Sequence, residues 1–394
     1  MAGVTIDARN GVLSALELDT YSTIKLSGAI DTSFFGSGLN EVVVKQSDIT
    51  SLKVHEEIKK ITLTNNGIQT FQNSSSSRIE PDFNTLTNLT NFILTGDHQL
   101  ENEIPNLSAN TSLIEFDVSN NFSLSGNIPE LNNLPDLAIA KFSNNSFTGS
   151  LPSLSSNHKL VEFFSNGNNS ITSDLPLVSS IFLKTINIQQ NDVKGEPHDF
   201  RNTPLLENYF AFSCSLSGPL PALSACPKLL EIDFNGNIFK DNIPFVNNLT
   251  SVIQLNLNNN VLSGFCPEVN NLSALEFFRF NNNKQNKSGF NSPGITGDVP
   301  DVSGNINLKI LDMASNALTG YTGSVWPSAQ FQNLQVQNNN LTTAAVDTLL
   351  SALCAGGGNN GTAELGGTNA SPTGGSSNPQ KVHLEGRGWS IGIT

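Results

Sequence analysis

Charge and cysteine are both scarce in this chain of 394 residues. Only 14% of positions carry Asp, Glu, Lys or Arg, and 34 acidic against 20 basic residues leave a formal net charge of −14. Such a surface repels phosphate backbones and anionic headgroups, which excludes nucleic acid as a partner. The four cysteines, Cys214, Cys226, Cys266 and Cys354, lack the density of a disulfide scaffold and the paired spacing of a zinc site, so they read as reduced and buried. No apolar run reaches 18 residues, and the stretch from Met1 to Asp7 has no basic region followed by an apolar one. Neither membrane insertion nor export by a cleaved signal peptide is therefore expected.

Catalytic signatures are missing as well. The sequence contains no G-x-x-x-x-G-K-[ST] loop and no G-x-S-x-G elbow. His55, His98, His158, His198 and His383 never fall at metal-ligand spacing, and each reads as a lone solvated group. Carboxylates such as Glu115 and Glu162, two rows and so about 10 Å apart, could imitate a glycosidase pair, yet regular stacking produces such pairs by accident. No catalytic residue, metal or cofactor is expected.

What the chain does have is a repeat. The pattern L-x-x-L-x-L-x-x-N begins at Leu113, Leu137, Leu160, Leu183, Leu206, Leu229, Val252 and Leu275, with one interval of 24 residues and then six of 23. Two more rows start at Leu308 and Phe331, after an interval of 33 that carries roughly ten extra residues, Lys284 to Gly294. Weaker rows start at Leu89, Ile58 and Leu39, with Tyr21 a candidate for the first, and Gln72 to Arg78 reads as a loop insertion. Apolar first, fourth and sixth places turn inward from a short parallel strand, and the Asn satisfies backbone groups where the chain turns inside the stack. Leaving such a group unpaired costs about 1–3 kcal/mol.

A second signature follows each Asn: Leu124-Ser-Gly-Asn-Ile-Pro129, Phe147-Thr-Gly-Ser-Leu-Pro152, Leu216-Ser-Gly-Pro-Leu-Pro221 and Ile295-Thr-Gly-Asp-Val-Pro300. With the row pattern, this resembles the L-x-G-x-I-P of plant-type leucine-rich repeats. Cys214 occupies the Asn place of its row, a replacement that repeat allows. The resemblance implies an α/β-type solenoid, mostly β, wound as a right-handed superhelix with a parallel sheet on its concave face. The glycine and proline of the second signature point to an irregular or 3₁₀ convex side. Residues 1–20 are the candidate N-terminal cap, 21–342 the solenoid and 343–394 the C-terminal cap. In the last, Thr343 to Leu353 has helical spacing with Thr342 or Thr343 as N-cap, Ala355 to Asn378 reads as a loop, and Val382 to Ile391 as a final strand on which Trp389 covers the last coil.

This C-terminal arrangement, VDTLLSALCAGG, then NGTAELGGTNASPTGG, then HLEGRGWSIGIT, resembles the terminator of leucine-rich-repeat proteins encoded by tailed phages and some bacteria. The resemblance implies a virion component such as a tail fibre, adhesin or decoration protein, with other virion proteins or a host receptor, protein or glycan, as partner. A bacterial cell-surface or secreted adhesion protein and, more remotely, a carbohydrate-active enzyme remain as alternatives. The third, fifth, seventh and eighth places of each row face outward in columns about 4.8 Å apart from row to row. Phe164, Phe210, Phe212 and Phe277 are expected to be exposed there, with Arg279, Asn208 and Asn256 beside them, as the centre of a binding face. Lys284, Lys287 and Phe290 on the ten-residue insertion form a candidate binding loop.

Overall fold

The computed structural model describes residues 3–9, 12–19, 27–31, 39–45, 48–54, 56–65, 79–80, 83–96, 103–168, 170–323, 325–326, 330–356 and 358–394; at 3–9, 12–19, 27–31, 48–51, 79–80 and 83 it is the backbone course that is described. The row at Tyr21, the insertion at Gln72 to Arg78, and His55 and His98 lie outside these residues. The chain forms two compact units, Met1–Val193 and Lys194–Thr394.

Both units are built from coils that each contribute one short strand to a parallel row sheet. In the first, Glu115–Asp117, Ile139–Lys141, Glu162–Phe164 and Thr185–Asn187 pair so that third place meets third place. The second does the same from Asn208–Phe210 through Glu231–Asp233, Gln254–Asn256, Phe277–Arg279, Ile310–Asp312 and Asn333–Gln335. The register follows from burial. The fourth-place residue points inward and the third and fifth outward, so a slip of one residue would turn every buried side chain into solvent. Phe116, Ala140, Phe163 and Ile186 are buried at the fourth place of the first unit, and Tyr209, Ile232, Leu255 and Phe278 at that of the second. Burying each large apolar side chain stabilises the coil by about 1.5–3 kcal/mol. Rings also stack from coil to coil, Phe92 on Phe116 at 5.5 Å in the first unit and Tyr209 against Phe234 at 4.9 Å in the second.

Among the described residues each ninth-place Asn is buried and ties two coils together. The Asn121 amide donates to Leu94 O and Val118 O, both at 2.8 Å. Asn260 donates to Phe234 O (2.9 Å) and Leu257 O (3.2 Å), and its Oδ1 accepts the Phe239 N–H at 3.0 Å. Asn283, Asn316 and Asn339 repeat this, accepting from Leu262, Ile295 and Leu318. The residue before the Asn takes a left-handed backbone, as at Asn144 (φ 56°), Asn259 (φ 55°) and Gly236 (φ 77°), a conformation that Asn and Gly tolerate best.

Short 3₁₀ turns occur between the row strands, as expected, at Phe200–Asn202 and Leu223–Ala225, and the L-x-G-x-I-P segments in addition form further parallel sheets that the sequence reading does not include. One has three strands, Ser125–Asn127, Ser146–Gly149 and Ser170–Ile171; the other has six, from Lys194–Gly195 to Ala317–Tyr321. The glycine explains the close stacking: a Cβ at Gly264 (φ 81°) would stand 1.9 Å from Asn242 Oδ1. Outward hydroxyls then bond back to the preceding coil, as Thr296 Oγ1 does to Gly264 O at 2.9 Å.

The ends also depart from the sequence reading. Val12–Asp19, inside the segment assigned to the first cap, pairs in parallel with Glu41–Lys45 and antiparallel with Gly3–Arg9, so the row sheet begins within residues 1–20. At the other end helix α1 (Thr343–Gly356) forms where its spacing predicted, with Thr342 Oγ1 accepting the Ala345 N–H. The stretch read as a loop contains Thr362–Glu364, which continues the row sheet, and the stretch read as a strand is split into helix α2 (Pro379–Gly386) and Ser390–Gly392. The Asn378 side chain caps α2 and Pro379 opens it, which holds Val382 in a helix. Trp389 is buried against Phe331, as the reading of it as a cover for the last coil required.

His198 is not solvated. It is 7% exposed, with Nε2 3.3 Å from Thr203 Oγ1, Nδ1 unpartnered, and its ring packed against those of Phe200 and Tyr209. Burial pulls its pKa from 6.5 down to about 4, against the opposing charge of Asp199. The unfolded chain therefore binds more protons than the folded one between those values. Stability is complete above pH 6.5 and falls as pH drops toward 4, by about 3 kcal/mol. Urea unfolding across this window checks the slope, and His198→Phe is expected to flatten it. In the same assay at pH 7, Asn260→Ala should cost about 3 kcal/mol, because it strands backbone groups of two coils; a loss below about 0.5 kcal/mol contradicts the role given to the amide.

Candidate functional site

The outward places of the row sheets carry the residues singled out above, and the structure leaves them less exposed than expected. In Met1–Val193, Phe164 is half-buried. Lys141 from the preceding row sits with Nζ 5.1 Å from its ring centre and 2.9 Å from Glu162 Oε2. Glu115 accepts from Asn91 Nδ2 at 2.8 Å, so the two carboxylates of the imagined glycosidase pair already have separate partners.

In Lys194–Thr394 the same columns bring Asn208, Phe210, Phe212, Phe277 and Arg279 onto one face, all half-buried rather than exposed. Phe277 lies beneath the Arg279 guanidinium at 4.8 Å and the Lys309 ammonium at 5.8 Å, and Lys309 is held by Glu276 at 2.5 Å. Phe164 and Phe277 lose exposure because long cationic side chains from the same or an adjoining row fold over them. Asn256 is buried at 9% exposure, donating to Asp233 Oδ2 at 3.0 Å, which removes it from any contact surface. Asp312 in turn accepts from Asn281. Burial raises the pKa of Asp233 and Asp312, against hydrogen bonds from neighbouring amides and the charge of Arg279. Burial lowers that of Arg279, with Asp312 and then Asp233 opposing. The face is thus a fixed array of amides, paired carboxylates and cation-covered rings, suited to holding a ligand by stacking and hydrogen bonding.

The ten-residue insertion is a strap rather than a free loop. It forms a small hairpin, Asn286–Lys287 with Phe290–Asn291. Lys287 Nζ reaches back to Asn237 O and Asn259 O, both at 2.8 Å, while Gln285 Nε2 donates to Asn260 O and Asn282 O. These carbonyls lie at the Asn turns of successive coils, where acceptors remain open at the edge of the stack, and the amine and amide of the insertion fill them. Burial lowers the pKa of Lys287. Lys287 therefore leaves the candidate binding loop; Lys284 and Phe290 stay exposed, Phe290 at 43% with Lys240 5.6 Å from its ring centre.

None of the four cysteines forms a disulfide; Cys214 and Cys226 are buried, Cys266 and Cys354 half-buried. Cys226 takes the place of a buried amide, its one S–H within reach of Thr203 O (3.2 Å) and Phe200 O (3.6 Å), the carbonyls that match those to which Asn157 and Asn305 donate in other coils. Burial pushes that thiol up to about 11, which removes it as a nucleophile at neutral pH. Among the described residues no three His, Cys, Asp or Glu side chains gather as metal ligands would, and no helix is long and apolar enough to cross a membrane.

No protein-family model matches the chain, and no curated protein does. Solved structures do. The Arabidopsis receptor kinase HAESA, in complex with the peptide hormone IDA and the co-receptor SERK1, superposes with a TM-score of 0.64 at 20% identity, over 93% of this chain and 72% of that one. The plant peptide hormone receptor RGFR1, in complex with RGF2, gives 0.61 at 18% identity over 95% and 66%. The functional domain of InlJ from Listeria monocytogenes gives 0.53 at 15% identity over 91% and 69%. With the in-register row sheets and the buried Asn ladder, this likeness establishes the leucine-rich-repeat fold, a mostly β, parallel solenoid.

Proposed function

We propose that the chain is a non-enzymatic binding module that holds a protein partner on the row sheet of Lys194–Thr394, around Phe210, Phe212, Phe277 and Arg279. One observation carries this reading: aromatic side chains stand at outward places where folding requires none, and Phe277 is set in place beneath two cations. Binding is favoured over catalysis because Asp233 and Asp312 are each committed to a neighbouring amide and both face the same cation, Arg279, which leaves neither as an uncommitted acid or base. Two of the solved proteins with this fold are peptide-hormone receptors or carry a peptide hormone, which makes a peptide or protein ligand the natural class.

The finer reading is a virion surface component, contacting either another virion protein or a host receptor, protein or glycan. The C-terminal segment supports it by its resemblance to phage-encoded leucine-rich-repeat proteins.

Two measurements test these readings. Antibody against the chain should decorate purified phage particles; a chain found only in the cell envelope or the lysate overturns the virion assignment. Labelled chain should be retained by those particles or by host cells, and Phe210→Ala with Phe277→Ala should weaken retention by about tenfold or more without changing thermal unfolding. Unchanged retention overturns the assignment of the face.

A further inference from the structure

The segments 266–271 and 298–301 of Lys194–Thr394, with Asn247 and Thr322, line a groove of about 450 Å³ that includes no residue of the row strands. Glu268, Asp298 and Asp301 line it, and no lysine, arginine or histidine does. Two exposed aromatic side chains adjoin these lining segments in sequence. Phe265, next in sequence to the lining Cys266, is 78% exposed, with its ring edge 3.1 Å from where a Cβ on Gly297, the residue before Asp298, would stand. Phe245, two residues before the lining Asn247, is 63% exposed. Neither ring contributes to the core. Beside Asp301 lies a third feature: the Tyr321 hydroxyl is buried without a hydrogen-bond partner, close enough for the Asp301 charge to join burial in raising its pKa.

The carboxylates are dispersed along the groove and do not gather as metal ligands would. Dispersed negative charge beside a flat ring suits an extended organic cation, whose charged end meets carboxylates while its stem or planar face lies on the aromatic. We infer that this groove takes an arginine or lysine side chain from a basic segment of a partner protein, with Glu268, Asp298 and Asp301 meeting the charge and Phe265 the stem. Charge complementarity carries the choice of partner, since the groove has no base of its own and the chain as a whole carries −14.

The test titrates the full chain into a labelled tetra-arginine peptide, with a Gly/Ser peptide as control, and reads fluorescence anisotropy at low and physiological salt. Saturable binding of the basic peptide alone is expected. The combination Glu268→Gln, Asp298→Asn and Asp301→Asn should weaken it by about tenfold or more, and Phe265→Ala by about threefold. Glu268→Gln alone, at an exposed side chain that folding does not need, should weaken it measurably and keeps the test open if the triple variant fails to fold. The charge-matched combination Glu56→Gln, Glu57→Gln and Glu130→Gln in the other unit, and separately Phe210→Ala on the row sheet, should each change it less than about twofold. Equal weakening by the two charge-removing combinations, or no saturable binding at all, overturns the proposal, and neither result bears on the row-sheet reading.

Discussion

Everything in these coils depends on how the backbone is satisfied where it turns inside an apolar stack. A turn of that kind leaves carbonyls and N–H groups away from water, and the ninth-place amide is the group that answers both. It donates to two carbonyls, one in its own coil and one in the preceding coil, and in most coils of Lys194–Thr394 it accepts an N–H from the segment that begins the second sheet. Leucines drive collapse but do not distinguish one coil geometry from another. The amide does, because only one spacing puts its oxygen and nitrogen within reach of those three groups.

That constraint explains why so much of the fold was legible in the sequence. Apolar residues at the first, fourth and sixth places and Asn at the ninth give strand, inward face, turn and register together, and the rows from Leu113 to Phe331 follow them with few exceptions, Cys214 at the ninth place of its row among them. The second sheets were not legible, because L-x-G-x-I-P says only that the chain turns tightly; that Gly264 makes room for Asn242 depends on the neighbouring coil. The two ends were misread for the same reason. The coil ending in Thr362–Glu364 has Asn360 at the first place instead of leucine, and the Asn378-Pro379 pair that starts α2 carried a usable helix signal that the apolar spacing of Val382 to Ile391 obscured. At the N-terminus the Asn10-Gly11 pair between two alternating runs was the available hairpin signal.

The candidate site was legible in part. Column arithmetic placed Phe210, Phe277 and Arg279 on one face, since that follows from register alone. It could not show that Arg279 and Lys309 fold over Phe277, or that Asn256 sinks beside Asp233, because those depend on side-chain reach between rows. Lys287 is the sharpest case. A basic residue on an insertion has the look of a binding group, yet its ammonium closes two carbonyls of the stack and belongs to the architecture.

The most direct test of this account is residue-resolved amide hydrogen exchange at Phe239, Leu262, Ile295 and Leu318, whose N–H groups donate to Asn side chains rather than to a backbone ladder. If the buried amides hold the coils together, these four protons exchange as slowly as those in the middle of the row strands. Exchange at the rate of exposed loop amides would show that the asparagines are bystanders and that the leucines alone sustain the stack.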